Sequence, residues 1–189
     1  VCIHINKDVL WLGTTTNGVY CLNIDKKELT HPIQKGNITS FYQDSESELW
    51  IGSWEEGLFR VKADGTIENF KYNAKDTHSL SSNFVRACCE DNLGNIWIGT
   101  FNGLNRYNKI TGLFQNHTAN DTQADGLTHS SIWCIVKDNQ GTLWLGTYFG
   151  GVNYFNPEYE IYTRYSYSSN EKKGLSNPVV GRTIEDKDD

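Results

Sequence analysis

The chain has 189 residues, of which 38% are apolar and 21% charged, the balance of a globular protein with enough length for one sizeable core. A net charge of -6 argues against a nucleic-acid backbone or an anionic membrane as partner, because either is repelled on average. No stretch approaches the roughly 18 consecutive apolar residues of a membrane span, so direct membrane insertion by this segment is not expected. Aromatics reach 13%, and 17 glycines accompany only 3 prolines, which favours strands joined by tight turns and an all-β fold.

In chain order, one phrase recurs four times. "LWLGTTTNGVYCLN" begins at Leu10, "LWIGSWEEGLFRVK" at Leu49, "IWIGTFNGLNRYN" at Ile96 and "LWLGTYFGGVNYFN" at Leu143. The tryptophans of these phrases, Trp11, Trp50, Trp97 and Trp144, lie 39, 47 and 47 residues apart, and each is followed two positions later by Gly13, Gly52, Gly99 or Gly146. A period of this length marks a propeller or a solenoid. Asp44, Asp91 and Asp138 stand six residues before their tryptophans, and Leu80 and Leu127 stand seventeen before. In the same phase Leu175 and Asp186 predict a fifth tryptophan just past the last residue, so a fifth unit is expected to begin here. Approximate repeats are 1–32, 33–79, 80–126, 127–174 and 175–189, all within one propeller segment.

Within a unit, period two dominates. "VRACCEDNLGNIWIGT" puts Val85, Ala87 and Cys89 on one face and Arg86, Cys88 and Glu90 on the other, followed by a turn over Asp91, Asn92, Leu93 and Gly94 and a second strand from Ile96 to Thr100. A glycine-containing bend leads to a third strand such as Leu104 to Tyr107. A more polar fourth strand follows, as in "GLFQNH" or "EIYTRYS". Four antiparallel strands make a blade, and blades stack around an axis because a lone sheet cannot hide both faces. Ser40, Ala87 and Cys134 share one position on the innermost strand, where small side chains suit a crowded axis. Recurrence at fixed phase makes the four repeat tryptophans packing wedges. The five cysteines contain no C-x-x-C pair, and Cys88 and Cys89, adjacent on a strand, point to opposite faces as core thiols.

Several catalytic and metal patterns are weighed and set aside. Paired carboxylates are what a glycosidase needs, but Asp44, Asp91 and Asp138 recur at one turn position in successive blades and cannot face one another across a substrate; turn formation explains them. These turns do not satisfy the calcium-loop pattern, and His4, His31, His78, His117 and His129 lack metal-ligand spacing. Neither metal nor cofactor is expected. Gly52-Ser53-Trp54 is not a hydrolase elbow. Three Asn-x-Thr sequons, at Asn37, Asn116 and Asn120, mean polar loops.

A unit reading L-[ST]…V…E-D-x-x-G-x-[IL]-W-[IL]-G-T-x-x-G-[LV]-x-x-[YF]-[ND] closely resembles the two-component regulator propeller repeat. "SLSSNFVRACCEDNLGNIWIGTFNGLNRYN" and "IWCIVKDNQGTLWLGTYFGGVNYFN" match it best. The first repeat departs from it with Ile5 at the turn Asp position, and the second has Ser45-Glu46-Ser47 in place of the Gly turn. The resemblance implies an arc of a ring of about seven blades, a size within the range of known propellers. It also implies the periplasmic sensor half of a hybrid two-component histidine kinase anchored in the inner membrane. There, propellers and a β-sandwich domain precede the membrane helix, and the signal is an oligosaccharide.

In a propeller, the loop between second and third strands and the connection between blades emerge on the same face, around the channel mouth. Here those loops hold Trp54-Glu55-Glu56, Phe101-Asn102 and Tyr148-Phe149-Gly150, and the connections hold Asn83, His129 and Asn177. Trp54 and Trp133 stand outside the phase of the repeat tryptophans. Arg86 and Trp133 occupy one equivalent position near the start of the innermost strand. Rings beside amides and carboxylates suit sugars, whose C–H faces stack on aromatics while hydroxyls need donors and acceptors, and Arg86 suits a carboxylate. The candidate ligand-binding residues are therefore Trp54, Glu55, Arg86, Phe101, Asn102, Trp133, Tyr148 and Phe149, with no catalytic residue. Alternatives are a propeller enzyme of the polysaccharide or streptogramin lyase type, with its site on the same mouth, and a pure protein-interaction scaffold. An open arc also exposes strand edges and a blade face, so a homo-oligomer is expected.

Overall fold

The computed structural model describes residues 2–119, 126–159, 161–168 and 174–183. Sixteen strands form four separate four-stranded sheets, each an antiparallel meander in chain order. Blade 1 comprises β1 (Cys2–Asn6), β2 (Val9–Gly13), β3 (Val19–Asn23) and β4 (Glu28–Ile33). Blade 2 comprises β5 (Asn37–Gln43), β6 (Leu49–Trp54), β7 (Leu58–Val61) and β8 (Ile67–Phe70). Blade 3 comprises β9 (Val85–Glu90), β10 (Ile96–Thr100), β11 (Gly103–Asn108) and β12 (Leu113–His117). Blade 4 comprises β13 (Ile132–Lys137), β14 (Leu143–Thr147), β15 (Val152–Asn156) and β16 (Ile161–Tyr165). Among the described residues no helix is long and apolar enough to cross a membrane. Asp186, which keeps the phase of the fifth unit, and the sequon at Asn120 lie outside the described residues.

Blades meet through their first two strands. A Cβ built on Gly13, Gly52, Gly99 or Gly146 falls within 3.0 Å of the next unit's innermost segment, at Ile38, Val85, Ile132 or Val180. A side chain there would hold neighbouring blades apart, which is why glycine closes the recurring phrase. Trp50 and Trp97 are fully buried between blades: Trp50 packs with Leu80, Val85 and Tyr107, and Trp97 with Leu127, Ile132 and Phe155. The wedge role expected of them is what the fold uses.

The recurring aspartates do more than form turns. Asp91 Oδ1 accepts from the N–H groups of Leu93 and Asn95, while its Oδ2 accepts from Trp97 Nε1 at 2.8 Å. Asp44 and Asp138 do the same for Trp50 and Trp144, each at 2.9 Å. One carboxylate thus ties the hairpin turn and satisfies the indole that the blade interface buries.

The strict alternation expected along β9 does not hold. Val85 shares a cluster with Cys88, whereas Ala87 and Cys89 belong to the opposite interface. The cause is a β-bulge: Val85 pairs with Thr100 and Ala87 with Gly99, which leaves Arg86 as an extra residue. Beyond an extra residue, every side chain changes face. The same bulge recurs in blade 2, where Thr39 is skipped between Ile38 and Ser40, and in blade 4, where Trp133 is skipped between Ile132 and Cys134. Ser40, Ala87 and Cys134 still occupy one equivalent position, opposite Gly52, Gly99 and Gly146.

Cys88 and Cys89 are buried on opposite faces as expected. Burial pushes both thiols above their ordinary value, Cys89 to about 11, so neither is a thiolate at neutral pH.

Candidate functional site at the blade mouth

Each blade has a turn end, where Asp44, Asp91 and Asp138 sit, and a mouth end, where the second strand finishes. The second strands are 5 or 6 residues long, so the two ends stand about 17–20 Å apart. Backbone bonds fix the mouth loops. Gly57 N–H donates to Asn83 C=O, Gly103 N–H to Ser130 C=O and Gly151 N–H to Pro178 C=O, each tying a mouth loop to the connection that enters the next unit. Phe101 and Tyr148 N–H groups donate to Phe84 and Ser131, just before the innermost strand of their own blade. Positions 54, 101 and 148 therefore carry an aromatic side chain at equivalent points of three successive blades.

The structure brings most of the predicted residues into one row. Phe101 lies edge-on to Phe84 at 6.2 Å, and Phe84 edge-on to Trp54 at 4.9 Å. The Arg86 guanidinium carbon lies 4.8 Å from the Trp54 ring centre and 3.9 Å from that of Trp133. Trp133 stacks on Tyr148, at 5.2 Å and 10° between planes, and Tyr148 meets Phe149 at 4.2 Å. His129 lies 6.2 Å beyond Phe149. Its Nδ1 accepts from Ser131 N–H, which puts the proton of the neutral ring on Nε2. Phe101, Tyr148 and Phe149 remain exposed at 52%, 36% and 57%, so this row presents rings to solvent.

Arg86 and Trp133 reach the row because both are bulge residues, and a bulge re-aims the side chain it inserts. Among the described residues no carboxylate pairs with Arg86; its Nε is buried without a hydrogen-bond partner, and so is the indole Nε1 of Trp133. Burial lowers the Arg86 pKa from its usual value, partly opposed by Tyr148, and the group stays cationic at any physiological pH.

Two predicted residues stand apart from the ring contacts. Glu55 is exposed on the β6–β7 loop with φ at 84°, a left-handed conformation uncommon for glutamate, and Asn102 is exposed on the β10–β11 bend. The neighbouring Glu56 is held by Lys35 at 2.8 Å and Lys71 at 2.9 Å, which fastens that loop. Two members of the site went unread in the sequence. Phe84 links Trp54 to Phe101, and its signal was an aromatic immediately before an innermost strand. Thr39, the blade 2 bulge residue, donates its hydroxyl to Val85 C=O at 2.6 Å and fastens blade 2 to blade 3.

These features define a β-propeller with a recessed cation and a row of rings at one end of its blades. A stretch of each of three blades matches the family model described as two component regulator propeller, at residues 32–55, 79–102 and 126–149, and all eight candidate residues fall inside those stretches. The fold is similar to the extracellular domain of the hybrid two-component system BT3049 from B. thetaiotaomicron, at 23% identity and a TM-score of 0.72. It is likewise similar to that of BT4673 from the same organism, at 23% identity and a TM-score of 0.75. In both cases the match covers 98% of this chain and 24% of the other, so the chain spans about a quarter of those domains. Virginiamycin B lyase from Staphylococcus aureus is similar at 16% identity and a TM-score of 0.67, over 89% of this chain and 55% of the lyase. No curated protein sequence matches the chain.

Proposed function

We propose that this chain is a non-catalytic, ligand-sensing part of a periplasmic sensor propeller in a hybrid two-component histidine kinase, and that the mouth row binds an oligosaccharide. The observation that carries the reading is the convergence of Trp54, Arg86, Trp133, Tyr148 and Phe149 from three blades onto one end of the fold. Stacked rings bind the C–H faces of sugars, and loops anchored blade to blade hold those rings in place before ligand arrives. The repeats and the similarity to extracellular domains of two-component systems support the sensor context and the periplasmic location. Ligand contact spanning several blades favours one arrangement of rigid units over another, the general route by which a sensor converts binding into a signal.

Titration of oligosaccharide mixtures by calorimetry tests the reading. Binding that is lost in Trp54→Ala and Tyr148→Ala, with melting temperature little changed, supports it; binding unaffected by both substitutions overturns it. Turnover of the bound sugar, seen as new ultraviolet absorbance from an unsaturated product, would favour the lyase reading. The same proposal includes self-association. Ile3 on the innermost strand of blade 1 is 61% exposed, where Cys88 and Ile135, at the same register in blades 3 and 4, are each only 8% exposed. A monodisperse monomer by light scattering would contradict it.

A further inference from the structure

The mouth holds a cation that the described residues do not neutralise. Two other largely enclosed cations have carboxylate partners: Arg60 pairs with Glu48 at 2.6 Å, and Lys109 with Asp44 and Glu90 at 2.9 and 2.8 Å. Arg86 has rings instead. Aromatic faces orient a guanidinium and exclude water from its faces, yet they supply no acceptor for its N–H groups, and an uncompensated, partly desolvated charge is costly to keep. The buried Nε of Arg86 and the buried Nε1 of Trp133 add two donors without acceptors in the same spot. A ligand cannot reach those two enclosed donors, but the terminal N–H groups of Arg86 are not enclosed, and a group that brings oxygen acceptors and a negative charge meets that edge in a two-point contact.

We infer that Arg86 is an anion-recognition residue and that the ligand of this mouth carries a carboxylate, as in an oligosaccharide of uronic acids. The inference rests on the reading of the mouth as a sugar site. Trp54, Tyr148 and Phe149 stack on the sugar rings, while Arg86, held against the Trp133 ring, reads the carboxylate with its terminal N–H groups. Specificity lies in Arg86, because aromatic stacking alone accepts neutral and acidic sugars alike. Loss of the charge-assisted contact weakens binding by about tenfold or more.

The test is a calorimetric titration of the purified protein with three probes: trigalacturonic acid, its methyl ester and galactotriose. In parallel, the Arg86 Nε–H resonance, assigned through its disappearance in Arg86→Gln, is followed by NMR with each probe and with sodium sulfate. The expected result is that trigalacturonic acid binds and shifts that resonance, that the methyl ester and galactotriose bind at least about tenfold more weakly, and that Arg86→Gln removes the discrimination. Arg86→Lys, which keeps the charge but not the fork, retains part of it. A methyl ester that binds as well as the acid overturns carboxylate recognition and leaves the sugar site intact. Trigalacturonic acid that binds undiminished after Trp54→Ala and Tyr148→Ala overturns the sugar site itself. A resonance moved by sulfate as strongly as by the acid replaces the carboxylate with a sulfate ester. A resonance moved by no anion overturns the proposal, with Arg86 left as a spacer between rings. Wild-type and Arg86→Gln melting curves accompany the titrations, so that unfolding is not read as lost binding.

Discussion

The two ends of each blade are built on opposite principles. At the turn end, polar groups are matched. Asp44, Asp91 and Asp138 each accept bonds from turn amides and from an indole, and at the joint between blades 2 and 3 the Lys109 ammonium sits among Asp44, Glu90 and, at 3.7 Å, Glu46. At the mouth end, Arg86 has rings for neighbours and no counter-charge among the described residues, and large aromatic surfaces stay in water. A satisfied end holds the blades together, and an unsatisfied end is ready for a partner. The contrast teaches where stability and recognition are separated in this fold, and substitutions at the two ends test it.

The largest effect is expected from the tryptophans. Trp97→Ala at the interface removes a fully buried ring and leaves the Asp91 carboxylate without its indole donor, at a cost of about 3–5 kcal/mol. Trp54→Ala at the mouth removes a half-buried ring that touches Phe84 and Arg86, and costs about 1 kcal/mol while weakening ligand binding. Urea denaturation of both variants measures the gap. Equal losses would mean that the mouth ring is itself part of the core.

Next comes Lys109. Its ammonium and the facing carboxylates are nearly enclosed, with side-chain exposures of 10% for Lys109, 0% for Asp44 and 8% for Glu90. Lys109→Ala strands two buried carboxylates and is expected to cost about 3 kcal/mol, without altering ligand affinity at the far end of the blade. Denaturation paired with a binding titration checks both halves of that statement.

Acid should loosen the same joint. Burial alone would raise the Asp44 pKa, but bonds donated by Trp50 and Lys109 outweigh it and hold the carboxyl below its ordinary value. A group with a depressed folded pKa contributes stability above its unfolded value, near 3.9, and loses it as pH falls through the folded one. Melting temperature is therefore expected to drop below about pH 4, and the drop should be shallower in Asp44→Asn. Parallel acid dependence in the two proteins would assign the loss to other carboxylates.

Much of this arrangement was legible in the sequence, for identifiable reasons. The blade count and strand order follow from the fixed phase of Trp, Gly and Asp, since packing against a neighbour imposes the same residue at the same point in every unit. The mouth row was legible because positions 54, 101 and 148 repeat an aromatic where no packing rule requires one. The bulges were not, because period-two reading carries no mark for one inserted residue; Arg86 and Trp133 stood out by their shared position near the start of the innermost strand, but alternation put Arg86 on one face with Cys88 and Glu90. Half of the aspartate role was visible. Its turn function follows from residue type, whereas the bond to an indole six residues on depends on how the hairpin folds back. That Arg86 has no counter-charge among the described residues was invisible for the same reason, since it depends on residues from three blades at once.

The smallest effect concerns a turn that departs from the repeat. Blades 3 and 4 close their first hairpin with Gly94 and Gly141, at φ of 78° and 85°. Blade 2 has Ser47 at the corresponding point, with φ at 65°. A side chain in this left-handed region costs about 1 kcal/mol, and glycine does not incur it. The fold tolerates the serine because the rest of the turn is well held: Asp44 accepts from the Glu46 and Glu48 amides, and the Ser45 amide and hydroxyl both donate to Glu90. Ser47→Gly should therefore stabilise the protein, by somewhat less than about 1 kcal/mol because glycine also gains freedom in the unfolded chain. Because the change lies at the turn end, ligand affinity should stay the same while the melting temperature rises. A fall in melting temperature would show that Ser47 makes a contribution its backbone conformation does not reveal.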